Sequence, residues 1–165
     1  MPGTRASTQP APARLKGYAR RVFDQGLGRC LWFIEGADVA RIARSIAAIP
    51  RERQPDLWSG VGLASVYAGE ASEADLRRLR ETAGEFAPHL AQGAAFAAKA
   101  RLRAGNLSSY HHAACLILCG MSAPDAAQVT DAALENLPAD RTEPSYETWR
   151  RRIQQRFLQS AEVPR

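Results

Sequence analysis

The chain has 165 residues, a mass of 18.0 kDa, 45% hydrophobic and 24% charged residues, and a net charge of +5. That is one domain or a short run of repeats, with enough apolar residues to exclude a broadly disordered chain. No uncharged apolar run reaches the roughly 18–20 residues of a membrane helix, and MPGTRASTQPAPARLKG lacks the apolar stretch of a secretory signal, so a cytoplasmic protein is expected.

The 22 basic side chains are almost all arginine, with only Lys16 and Lys99 as lysines. Their clusters are mixed with acids: Asp75, Glu81 and Glu85 lie around Arg77, Arg78 and Arg80, and Glu143 and Glu147 precede Arg150, Arg151 and Arg152. Such mixing reads as solvated helix faces, and a nucleic-acid partner is not expected. Cys30, Cys115 and Cys119 form no CxxC and give no disulfide framework.

Residues 1–14, polar and broken by Pro2, Pro10 and Pro12, read as a disordered tail, and 161–165 as a second tail. Between them, 15–160 reads as helix after helix, because alternating runs of β-branched residues are absent. The expected helices span about 15–35, 37–49, 55–68, 72–83, 87–104, 108–119, 122–137 and 144–160. Ser72 with Asp75 three residues on forms a capping pair, and Ser122 and Ser145 are further candidate caps.

A repeat organises these helices. QGLGRCLWFIEG from Gln25, SGVGLASVYAG from Ser59 and QGAAFAAKARLRAG from Gln92 each begin with a polar residue and glycine and end at Gly36, Gly69 and Gly105. Pro55, Pro88 and Pro124 stand at matching places, and Gln128 continues the series. A period near 34 with two helices per unit predicts an all-α, tetratricopeptide-like stack of αα-hairpins, with an irregular helical bundle as the alternative.

Several constellations are candidates for chemistry. The polar column Gln25, Ser59, Gln92 and Gln128 would orient a ligand if those helices line a groove, or would satisfy itself within the stack. Asp24, Arg29 and Lys99 sit within apolar helices, where a charge needs a partner. They are either structural ion pairs or the floor of a pocket walled by Trp32, Phe33, Trp58 and Phe96. His111, Cys115 and Cys119 share a helix face, but one helix cannot converge three ligands on a tetrahedral zinc, and no metal is expected. No GxSxG elbow, phosphate loop or dinucleotide fingerprint is present, so no catalytic residue and no cofactor are named.

GYARRVFDQGLGRCLWFIEGADVARIA, DLWSGVGLASVYAG, HLAQGAAFAAKARLRAGN, APDAAQVTDAALENLP and YETWRRRIQQRF together resemble the C-terminal half of a bacterial domain-of-unknown-function family labelled enediyne biosynthesis protein. The resemblance covers about residues 17–158. It implies an accessory role in polyketide-type natural-product biosynthesis, binding an apolar polyene-like intermediate or a biosynthetic partner protein. It also implies that a complementing N-terminal-half polypeptide completes the fold; separately, an open-ended stack with apolar terminal faces would tend to pair with a second copy. The motif positions Asp24, Gln25, Arg29, Trp58, Ser59, Gln92 and Lys99, with Gln128, are the candidate ligand-binding residues. A helical-repeat scaffold for protein–protein interaction and a basic nucleic-acid binder are the rival readings.

Overall fold

The structure, a computed structural model, describes residues 12–162. It is all-α, and among the described residues there is no strand. Eight α-helices follow one another: α1 (Tyr18–Ile34), α2 (Val39–Ala47), α3 (Gln54–Ala68), α4 (Glu73–Ala83), α5 (Ala87–Arg103), α6 (Ser109–Cys119), α7 (Ala123–Ala132) and α8 (Ser145–Glu162). Single 3-10 turns at Arg51–Arg53 and Gly84–Phe86 lead into α3 and α5. Most of the expected disordered tail, residues 1–11, lies outside the described residues.

Local chemistry sets most boundaries. Pro55, Pro88 and Pro124 occupy the first turns of α3, α5 and α7, where a missing N–H costs no helical hydrogen bond. Ser72 and Ser122 cap α4 and α7 by accepting the N–H of Asp75 and Asp125. Gly36 and Gly69 take φ of 63° and 83° just past α1 and α3, a conformation most side chains resist.

Several boundaries differ from expectation: α1 opens at Tyr18 instead of about 15, α2 spans Val39–Ala47 instead of about 37–49, and three further differences fall at α7 and α8. The seventh helix stops at Ala132 instead of 137. The carbonyls just past it are taken up from outside, by the Arg152 guanidinium donating to Ala133 O (3.3 Å), Glu135 O (2.7 Å) and Asn136 O (3.4 Å). Ser145 is the first residue of α8 and not its cap; its N–H donates to the Asp140 carboxylate at 2.6 Å, which holds that carboxyl below its ordinary pKa. Finally, α8 runs two residues past 160, into the segment read as tail.

The helices pack in two rows. In the first, α1 meets α3, α3 meets α5 and α5 meets α7; α2, α4 and α6 form the second. Glycines bring the first row into backbone contact. A β-carbon on Gly28 would lie 2.0 Å from Leu57 O, and one on Gly62 would lie 2.0 Å from Leu90 O. From the other side, Gly60 would meet Gln25 O at 2.1 Å and Gly93 would meet Ser59 O at 1.9 Å. The α1–α3 contact therefore recurs at α3–α5, displaced by the spacing of Gly28 to Gly62 and Gly60 to Gly93. Leu31, Ile42, Ile46, Leu57, Val61, Leu76, Leu79 and Leu90 fill the core between the rows, all fully buried. The last helix, α8, lies across the first row against α5 and α7, with Ile153 and Phe157 turned inward.

Candidate functional site

Beneath α8 lies a buried charge network. Arg150 is fully buried, and its Nη1 donates to Asp56 Oδ1 (2.8 Å) on α3 and to Glu147 Oε2 (2.7 Å) one turn back on α8. Arg21 of α1 joins the same two carboxylates, Nε to Asp56 Oδ2 and Nη2 to Glu147 Oε1, both at 2.8 Å. Two cations thus face two carboxylates, so the burial leaves no net charge. Tyr18 O–H donates to Glu147 Oε2 (2.7 Å) and Gln25 Nε2 to Asp56 Oδ1 (3.1 Å). Burial and the Glu147 carboxylate push the Tyr18 phenol up to about 12. Burial works against the Arg150 and Arg21 charges, yet Asp56 and Glu147 hold both guanidiniums above their ordinary range.

The network continues onto α5. The Gln92 carbonyl oxygen accepts from Ser59 Oγ (2.8 Å), Arg150 Nε (3.2 Å) and Gln154 Nε2 (3.3 Å). Gln92 Nε2, Arg150 Nη2 and His89 Nδ1 are buried without a hydrogen-bond partner. Burial, with the Arg150 charge nearby, holds the His89 imidazole below its ordinary pKa, against opposite pulls from Asp56 and Glu147. A base depressed by folding is protonated more readily in the unfolded chain, so its contribution is complete above the ordinary value of about 6.5 and declines as pH falls from there toward the folded value. The melting temperature is therefore expected to drop between about pH 7.5 and 5.5, and His89→Gln to shrink that drop. His111, also depressed by burial, supplies part of the remainder. An equal drop in the variant, read by differential scanning calorimetry, contradicts this.

The structure brings Gln25, Ser59 and Gln92 together, but under α8 and in contact with its side chains or their partners. Asp24, buried, accepts from Arg53 at 3.0 and 3.2 Å, and Lys99 pairs with Asp131; both are ion pairs reaching to a neighbouring unit. Arg29 is exposed on α1. Trp32 and Trp58 lie in the core, Phe33 is exposed, and Phe96 packs on Trp149 of α8 with ring centroids 4.7 Å apart. The expected four-ring wall is thus distributed over three different surroundings. His111 Nδ1 accepts the Ser108 N–H (3.0 Å), and Cys119, whose thiol is raised by Cys115 and burial, donates to Ala91 O.

The sequence reading missed the centre of this network. It placed Arg150 and Glu147 on a solvated face, whereas both are buried. The usable signal was spacing: Glu147, Arg150, Ile153 and Phe157 recur at three and four residues, so the charges share the face of the apolar anchors. Several other arginines are also matched: Arg41, Arg51, Arg53, Arg77 and Arg151 each pair with a carboxylate.

The remaining candidate, Gln128, stands elsewhere. It is exposed and lines an open cleft of about 600 Å³ between α7 and α8. Met121, Val129, Ala132 and Ala133 make its apolar wall; Asp125, Arg152 and Arg156 complete the lining. Among the described residues, no single helix is long and apolar enough to cross a membrane.

A helical layer sealed by its own last helix over a neutral ionic cluster, with an apolar cleft beside it, defines the described residues as an all-α domain with a candidate ligand cleft. The chain belongs to the family described as "Protein of unknown function (DUF1702)", whose sequence profile matches residues 4–157. No curated protein and no solved structure matches it.

Proposed function

We propose that the protein is an accessory component of enediyne or polyketide-type natural-product biosynthesis that binds an apolar, polyene-like molecule in the α7–α8 cleft. The observation that carries this reading is the cleft itself. Its volume of about 600 Å³ falls within the range of roughly 300–1,000 Å³ typical of small-molecule sites. The wall from Met121, Val129, Ala132 and Ala133 offers burial to an unsaturated chain, and the Gln128 amide offers one oriented polar contact. The biosynthetic context comes from the sequence resemblance, and the ligand class follows from matching that context to an apolar cleft.

The recurrence of the glycine contacts at about one 34-residue interval supports reading the layer as a tetratricopeptide-like stack. In that reading α8 occupies the surface where such stacks present ligand-binding residues. Gln25, Ser59 and Gln92 then serve the fold, and the ligand site moves to the end of the layer.

The test uses cis-parinaric acid, a fluorescent conjugated polyene, titrated into the protein. Micromolar binding is expected, weakened by about tenfold or more in Val129→Arg, which puts a charge on the apolar wall. Far-ultraviolet circular dichroism should show the same helix content. Absence of binding, or equal affinity in the variant, overturns the reading.

A further inference from the structure

The two walls of the α7–α8 cleft differ in chemistry. From α7 come Val129 and Ala132, with Met121 and Ala133 flanking the helix at its two ends. From α8 come only Arg152 and Arg156, set four residues apart and therefore on one face of that helix. The apolar anchors of α8, Ile153 and Phe157, are buried in the layer and line none of the cleft. One side of the cleft is thus hydrocarbon and the other cationic.

The charges of the lining do not cancel. Asp125 is its single acid, against the two guanidiniums. The Asp125 carboxylate is already engaged in capping α7: Ser122 Oγ donates to Asp125 Oδ2 at 2.5 Å, and the Asp125 N–H donates back to Ser122 Oγ at 3.3 Å. A carboxylate in a first helical turn is also favoured by the helix dipole. Arg152 is tethered by the three carbonyls beyond α7, so its charge stays at the cleft. Arg156 stands one turn further along α8 and is exposed. However these three side chains pair among themselves, two cations against one anion leave one positive charge in the lining. A neutral hydrocarbon leaves that charge unmatched, and a monoanion matches it.

We propose that the ligand of this cleft is a long-chain carboxylate, with its apolar unsaturated chain against α7 and its terminal carboxylate at Arg156. The inference rests on the reading of the cleft as a ligand site, and adds the charge of what the site takes. A guanidinium presents paired N–H groups that match the two oxygens of a carboxylate. The exposed amide of Gln128, across the cleft on α7, offers a further donor. The methylene stems of both arginines extend the apolar surface under the chain. An ester or thioester of the same chain presents the same hydrocarbon without the charge, so the cleft distinguishes a free acid from its esters.

The experiment titrates the full chain with cis-parinaric acid and, separately, with its methyl ester, at about pH 7.5, where a carboxyl group is ionised. The two probes share chromophore and chain and differ in charge. The acid is expected to bind about tenfold or more tightly than the ester, the size of one charge-assisted hydrogen bond. Arg156→Gln should remove most of that preference and leave the affinity for the ester and the circular dichroism spectrum as they were. Arg78→Gln removes an exposed arginine on α4, in the other helix row, and should keep the preference. An ester bound as tightly as the acid, a preference that survives Arg156→Gln, or an equal loss in Arg78→Gln overturns the proposal and leaves the cleft a ligand site. Binding of neither probe overturns the reading of the cleft itself, and the proposal with it.

Discussion

Replacing Arg150 by methionine should lower the unfolding free energy by about 3–5 kcal/mol, measured by urea denaturation. The reason is the asymmetry of buried ion pairs. The wild-type network balances Arg150 and Arg21 against Asp56 and Glu147, and removing Arg150 leaves a buried carboxylate short of its partner. Gln92 would also lose a donor to its carbonyl oxygen. Adding Glu147→Gln to Arg150→Met should recover part of the loss, because one carboxylate then leaves with the cation and Arg21 still faces Asp56. A loss below about 1 kcal/mol would mean that the network is solvated in solution and that α8 does not seal the row.

The second large effect concerns the glycines. Gly93→Ala should destabilise the fold by about 3 kcal/mol or more, at the upper end of overpacking costs, because its β-carbon would lie 1.9 Å from the Ser59 carbonyl oxygen. Helix backbones must separate to relieve that clash; no side-chain rotation can. The same substitution at Gly26 meets open space and should be neutral or stabilising by up to about 1 kcal/mol. The pair is informative because both glycines follow a glutamine at the same point of the repeat. Equal effects at the two positions would mean that the close approach of α3 and α5 does not persist in solution.

The helix order and most boundaries were legible in the sequence because local rules set them: proline in a first turn, serine at a cap, glycine past an end. The recurrence of Gly28 at Gly62 and of Gly60 at Gly93 in the sequence also matches the close contacts between first-row helices. What spacing alone could not give was the path of α8. Nothing local to Arg150 says that it crosses back over residues nearly a hundred positions earlier to reach Asp56. Only that return turns a candidate ligand column into the underside of a helix. Gln128 differed from Gln25, Ser59 and Gln92 for the same reason, since α8 covers their helices and leaves a cleft beside its own. The shortened α7 has a similar origin, because Arg152, a residue of α8, satisfies the carbonyls where that helix ends.

The proposed occupant of the α7–α8 cleft is an apolar small molecule. Native mass spectrometry of the protein purified from the cells that make it tests this most directly. The predicted result is an additional mass of a few hundred daltons that leaves on denaturation and is missing from Val129→Arg. A bare polypeptide mass, or the same bound mass in the variant, would contradict it.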